Sequence, residues 1–338
     1  METAKLLASL FALIVLAALL AFAQVEYDGI EVSFGSTGTV TVEHERLTKT
    51  TGHVYAWGPG WRWEDSCSYQ GSWAVQPWRS SVSEVEARFE GVFQCSFAKV
   101  SWKEGAWLGA DSFLFELNMT ADEDSRFNAI AWDFELPINL FAGKNVTLLL
   151  FNNTEVPVVL RRNHVPTMPA INGSVYPNGV GWVIPYDGDR GLVVAVLGDT
   201  WPTGMSVVAV DNREWQGSTY SLRSWLFIDD FQMSKGVIVR LLVYVHPYSS
   251  RDKLEVGLSR VREAVRILQN GEGTDAVKSF LISAMNLEEA AAARKAHGPP
   301  LTLVVMLIAY TVIAAIAATI IIYALPKRKR RALAVTRP

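Results

Sequence analysis

Twenty-five consecutive residues without a charge, Leu301 to Leu325, constrain this chain more than any other feature of its sequence. At about 1.5 Å per residue, a helix of that length crosses a hydrocarbon core of about 30 Å with some tilt. Lys327-Arg328-Lys329-Arg330-Arg331 comes directly after it, and basic residues beside a span stay on the cytoplasmic side. The predicted topology is therefore single-pass type I in the cell membrane, with the N-terminal domain outside the cytoplasm and residues 326–338 as a basic cytoplasmic tail. At the other end, an apolar run from Leu6 to Phe22 closes on Ala21-Phe22-Ala23. This reads as a secretory signal peptide, residues 1–23, cut after Ala23; the alternative is an uncleaved anchor, and either one exports the domain behind it.

Between the apolar ends lie about 275 residues, room for one large β domain or two smaller ones. With Lys5, Glu2 and the six basic residues beyond position 326 set aside, this part holds 24 basic against 33 acidic residues. Such a balance argues against a nucleic-acid partner, whose phosphates demand a basic face. The two cysteines, Cys67 and Cys95, both fall in the exported part, where oxidising conditions favour a disulfide that stabilises by roughly 3–4 kcal/mol. Four sequons, at Asn118, Asn145, Asn152 and Asn172, lie in the same part and are expected glycosylation sites. His44, His53, His164, His246 and His297 are scattered without metal-ligand or triad spacing, and no glycine loop suits a phosphate, so no metal or cofactor is expected.

From Gly29 to about Tyr248, short β-branched and aromatic runs alternate with glycine, proline, asparagine and aspartate clusters. Gly38–Glu43, Ser112–Asn118, Ala129–Leu136 and Gly236–Tyr244 each show partial period-2 alternation, as a sheet with one buried face requires. The expected fold class is mainly β: an antiparallel β-sandwich over residues 24–248, because two sheets bury each other's apolar faces without helices. After Tyr248, Leu254, Leu258, Val261, Val265 and Leu268 recur at helical spacing, with a capping box over Ser249–Asp252 and a stop at Asn270-Gly271. A second helix is predicted from a Thr274 N-cap through the alanine-rich stretch before Gly298. Residues 249–298 thus form an amphipathic helical pair or a stalk.

All twelve tryptophans fall between Trp57 and Trp225, and Trp57, Trp61, Trp63, Trp73 and Trp78 crowd one irregular stretch. Accessible indole faces stack on the apolar faces of sugar rings while polar neighbours bind the hydroxyls; the competing reading is that they fill the core. Glycoside hydrolysis needs paired carboxylates, for which Glu64, Asp65, Glu214, Asp229 and Asp230 lie nearest to tryptophans in sequence. Acids in turns are more often solvated or capping groups.

Two segments carry a family likeness. Phe127-Asn-Ala-Ile-Ala-Trp-Asp-Phe-Glu-Leu-Pro137, continuing to Gly143, with Asp211-Asn-Arg-Glu-Trp215 and Tyr220-Ser-Leu-Arg223, resembles β-supersandwich proteins of the galactose-mutarotase-like kind over about residues 25–247. The resemblance implies the fold, and by association carbohydrate enzymes that include glycoside hydrolases and polysaccharide lyases. Mutarotases depend on a histidine and glutamate arrangement that these motifs do not contain. Arg213 and Trp215 join the candidate ligand-binding residues on this basis, beside the reading of Asp211-Asn212-Arg213 as an Asx-type turn.

The leading expectation is a membrane-anchored carbohydrate-recognition protein of the cell surface. The alternatives are a polysaccharide-degrading hydrolase or lyase, and a structural envelope or adhesion subunit that meets protein partners through its tryptophans.

Overall fold

A computed structural model describes residues 23–27, 29–34, 40–44, 48–63, 79–82, 85–166, 170–171, 175–198 and 206–297. The predicted signal run Leu6–Phe22, the predicted span Leu301–Leu325 and the basic tail lie outside these residues, and no helix among the described residues is long and apolar enough to cross a membrane. Phe22–Ala291 form one compact unit; of a second unit, Met1–Ala21 with Ala292–Pro338, only 292–297 are described.

Among the described residues, two nine-stranded sheets, antiparallel throughout, pack as a sandwich. The first takes β1 (Ala23–Tyr27), β2 (Ile30–Phe34), β3 (Val40–His44), β4 (Thr48–Gly58), β10 (Ser125–Pro137), β17 (Thr219–Met233), β16 (Ser206–Asp211) and β13 (Tyr176–Pro177) in that order, with β5 (Arg62–Trp63) paired to β4. The second runs β12 (Glu155–Val159), β11 (Asn145–Leu150), β14 (Gly179–Asp187), β15 (Arg190–Gly198), β18 (Ile238–Tyr248), β9 (Phe113–Ala121), β8 (Ala98–Leu108), β7 (Glu86–Cys95) and β6 (Arg79–Val82). All four quoted alternating runs fall on strands, β3, β9, β10 and β18.

Alternation decides what each strand buries. On β10, Ile130, Trp132, Phe134 and Leu136 enter the main core, and none is more than 1 % exposed. Trp102 on β8 and Trp182 on β14 are buried as completely. Such indoles need space opposite them, and glycine provides it: a Cβ on Gly52 would lie 2.3 Å from the Trp132 ring, and one on Gly91 2.5 Å from that of Trp102. Removing a buried indole of this kind costs about 3–5 kcal/mol. The core reading therefore holds for these three tryptophans.

Beyond the sandwich come α2 (Arg251–Gln269), α3 (Gly273–Ala284) and α4 (Leu287–His297), after a single earlier turn, α1 (Ile138–Phe141). Leu258, Val261 and Val265 of α2 are buried, and the helix packs on β18 and β15. Its N-cap is Ser250, whose hydroxyl accepts the Lys253 N–H at 3.3 Å, one residue later than the capping box placed it. Asn270 and Gly271, with φ +77°, end it as expected.

The second predicted helix is two. Asn286 stands at φ +51°, and its side chain accepts the Glu289 N–H, so it stops α3 and caps α4. Nor is Thr274 an N-cap: α3 starts at Gly273 after Glu272, and the Thr274 hydroxyl instead accepts from Arg240 Nη1 at 3.2 Å.

Candidate functional site

The outward face of the first sheet carries a second, smaller cluster. Ala129 and Ala131 on β10, Val208 and Val210 on β16 and Trp225 on β17 are buried there, with Trp57 and Ala170 packed against them. Period-2 geometry puts Asp133 and Glu135 on the same face as the two alanines. The register completes the arrangement: Ala131 lies opposite Tyr55 on one side and Trp225 on the other, and Asp133 lies opposite Arg223.

Arg223 grips Asp133 with two nitrogens, Nε to Oδ1 at 2.8 Å and Nη2 to Oδ2 at 2.6 Å. Asp133 is fully buried and Arg223 nearly so. The guanidinium carbon also sits 4.9 Å from the ring centroids of both Trp57 and Trp225. Burial works against the arginine's charge, but the Asp133 carboxylate outweighs it and raises the guanidinium above its ordinary value. Tyr55 donates its hydroxyl to Glu135 Oε1 at 3.0 Å. Burial first, then the Glu135 and Asp133 charges, push the phenol well above its usual range, so Tyr55 acts as a hydrogen-bond donor and not as a base.

The indoles make the wall of this face. Trp57 stacks on Tyr55 at 5.8 Å and meets Trp225 at 5.3 Å and Trp61 at 6.2 Å, while Trp61 lies 6.0 Å from Trp225. Trp61 ends the 3-10 turn Pro59–Trp61 and remains 48 % exposed. Its φ is +60°, next to Gly60 at +71°. A left-handed aromatic residue costs roughly 1–2 kcal/mol, and strain of that kind collects at functional positions.

Of the residues singled out by sequence, the structure brings Trp57 and Trp61 into this cluster. Trp63 pairs with Trp57 in the β4–β5 register. Glu64, Asp65, Cys67, Trp73, Trp78 and Asn172 lie outside the described residues. Arg213 folds back on its own turn, with Nη2 2.6 Å from Asp211 Oδ2 and further bonds to the Arg161 and Arg162 carbonyls. Burial opposes ionisation of Asp211, but the hydrogen bonds from Arg213 prevail and hold that carboxyl below its usual range. Glu214 meets His164 Nε2 at 3.2 Å, and Trp215 is 59 % exposed. Asp229 and Asp230 both have left-handed backbones, and Asp230 pairs with Arg126 on the surface. Asn118 is half-buried in β9; Asn145 and Asn152 are exposed.

Sequence reading missed Tyr55, Asp133, Glu135, Arg223 and Trp225. A signal for part of the set was present: the minor face of β10 reads Ala, Ala, Asp, Glu, small residues and then acids where a solvated face would show long polar chains. Among the described residues no group of three or more His, Cys, Asp or Glu is placed to hold a metal ion.

No protein-family model matches the sequence, and no curated protein does. Among solved structures, the chain is similar to galactose mutarotase-like proteins. One from Lactobacillus casei shares 9 % identity and a TM-score of 0.45 over 68 % of this chain and 100 % of the other. Another, from Clostridium acetobutylicum, shares 8 % identity and a TM-score of 0.39 over 67 % and 94 % of the two chains. An α-N-acetylgalactosaminidase from Bifidobacterium bifidum gives 12 % identity and a TM-score of 0.45 over 73 % of this chain and 39 % of its own.

Proposed function

We propose that this chain is a carbohydrate-recognition protein displayed outside the cytoplasm and anchored by one membrane helix. The observation that carries the proposal is the convergence of Trp57, Trp61 and Trp225 on one sheet face around the Asp133–Arg223 pair and the Tyr55–Glu135 hydrogen bond. Flat apolar rings stack on a pyranose face, and a half-buried carboxylate beside them, here Glu135, accepts from its hydroxyls. Trp61, half exposed and held in a left-handed conformation, is the platform a ring meets first.

The anchoring part of the proposal is supported by the uncharged run Leu301–Leu325 with the basic cluster after it, and export by the leader-like N-terminus. A disulfide between Cys67 and Cys95 belongs to the same reading, supported by the place of both cysteines between the leader-like run and the uncharged span, where export would bring oxidising conditions. Glycosylation is most readily accommodated at exposed Asn145 and Asn152.

The test is tryptophan fluorescence of the full-length protein, in a detergent without a sugar headgroup, titrated with a broad panel of polysaccharides and oligosaccharides. A saturable change that is lost in Trp61→Ala is expected. A flat response across the panel, from protein shown to be folded, would move the assignment to a protein-binding envelope subunit. Monitoring the same mixtures for new reducing ends or unsaturated products tests the polysaccharide-cleaving alternative, for which half-buried Glu135 is the carboxylate on this face, Asp133 being fully buried against Arg223.

A further inference from the structure

We propose that the tip of the β4–β5 hairpin is a hinged flap: Trp61 rests on Trp57 and Trp225 in the free protein and lifts to admit a ligand ring against them. The proposal rests on the sugar-binding reading and adds to it how the ring enters. β4 and β5 pair as Trp57 with Trp63 and Gly58 with Arg62, which leaves Pro59, Gly60 and Trp61 as a three-residue loop. Hairpins of this length usually place glycine in the left-handed position. Here Gly60 at φ +71° is followed by Trp61 at φ +60°, so an aromatic residue stands where a Cβ is disfavoured.

The base and the tip of the hairpin are held differently. At the base, the Arg62 guanidinium sits 5.4 Å from the Phe97 ring, and Gly58 lies so close to that ring that a Cβ would be 2.4 Å from it. At the tip, Pro59, Gly60 and Trp61 are all exposed, and the Trp61 indole reaches across to the sheet face. It meets Trp57 at 6.2 Å and 65°, and Trp225 at 6.0 Å and 75°. Of these two rings, Trp225 is buried and Trp57 half-buried. The centroids of both also lie 4.9 Å from the Arg223 guanidinium, a contact that keeps them in place when the tip moves. Two edge-to-face aromatic contacts favour the closed turn, and left-handed strain at Trp61 opposes it by a similar amount. A near balance of this kind populates a closed and an open state, between which a ligand selects. Rings in edge contact leave no room for a pyranose between them, so entry requires the lift.

Gly60→Ala isolates the hinge, because the added methyl would meet nothing within 4 Å and changes only the cost of the left-handed backbone. Fluorine NMR of the full-length protein carrying 5-fluorotryptophan, with the Trp61 signal identified by its loss in Trp61→Phe, reads the flap without any ligand. Exchange between two environments is expected for that signal, with the open population raised about tenfold in Gly60→Ala. No exchange, together with an unchanged shift in Gly60→Ala, overturns the flap. Stopped-flow fluorescence with cellohexaose, maltohexaose and chitohexaose reads entry: the apparent association rate should rise about tenfold in Gly60→Ala, in step with the open population. Equal rates in the two proteins overturn gating and leave sugar recognition standing. Silence from every sugar, in protein whose Trp61 signal exchanges, removes the sugar reading and with it the entry role, while the flap itself stands.

Discussion

Arg223 and Asp133 are cross-strand neighbours joined by a bidentate ion pair, and the same guanidinium lies 4.9 Å from the ring centroids of both Trp57 and Trp225. One side chain thus neutralises the buried carboxylate and packs against both Trp57 and Trp225. Removing it should undo both.

Arg223→Met leaves Asp133 buried without its counter-charge, and breaking a buried pair this way costs about 3–5 kcal/mol. Converting the partner as well, Asp133→Asn with Arg223→Met, should recover most of that loss. Equilibrium denaturation of the three proteins checks this; a single-variant loss below about 1 kcal/mol would mean the pair contributes little.

Glu104 on β8 is fully buried on the core side of the second sheet, with neither carboxyl oxygen hydrogen-bonded. Burial raises its pKa well above the ordinary value, so the fold favours the protonated carboxyl. The unfolded chain ionises it from about pH 4.3 upward. Its contribution to stability is therefore complete below that pH and is lost as pH rises toward the folded pKa. Glu104→Gln should flatten this dependence, so that the melting-temperature advantage of the variant grows from about pH 5 to about pH 8. A constant difference across that range would show that Glu104 does not titrate anomalously.

His246 bears the opposite sign. Its Nε2 donates to the Lys253 carbonyl at 2.9 Å, which leaves Nδ1 to accept from the Tyr244 hydroxyl at 3.4 Å. Burial lowers its pKa; Asp111 opposes that shift and Arg260 adds to it. The neutral ring is the folded form, so its contribution is complete above about pH 6.5, the unfolded value, and is lost as pH falls below it. Nitrogen NMR of the imidazole should show the Nε2–H tautomer persisting below about pH 6.5; an ordinary titration midpoint would contradict the assignment.

Gly257 lets α2 approach β18. A Cβ there would lie 2.5 Å from His246 Cδ2, and that ring is pinned at both nitrogens. Gly257→Ala gains about 1 kcal/mol of helix propensity but overpacks the contact, so a net loss of about 1–3 kcal/mol is expected in denaturant melts. A stabilised variant would show that the helix moves away freely.

Sequon occupancy should track the hydrogen bonds. Asn118 Oδ1 accepts from Arg240 Nε at 3.0 Å, and residues opposite it on both sides are cationic, Lys103 and Arg240. A glycan there displaces that contact, whereas exposed Asn145 and Asn152 give up little. Peptide mass spectrometry of protein from a glycosylating host should find Asn145 or Asn152 modified and Asn118 bare; modified Asn118 would contradict the packing.

The strands were legible because alternation is a local property: Ile130, Trp132 and Phe134 announce one buried face of β10 without reference to anything else. The break between α3 and α4 was concealed by the helical spacing that continues through Met285 and Leu287, although Asn286 and Glu289 have the spacing of a reciprocal cap. The site was less legible still. Asp133 is read differently once Arg223 stands beside it, and no periodicity says which strand will be that neighbour. Composition drew attention to the tryptophan-rich stretch, from which, among the described side chains, Trp57 and Trp61 join the cluster; Trp225 is far along the chain.

That separation has a kinetic meaning. The Tyr55–Glu135 and Asp133–Arg223 contacts close loops of 80 and 90 residues, and contacts of such reach form late and slowly. Half of this sheet face cannot assemble while β17 is still being synthesised. During that interval Trp57, Trp61 and the buried aspartate lack their partners, which makes the emerging N-terminal half the stretch most in need of a chaperone's shelter.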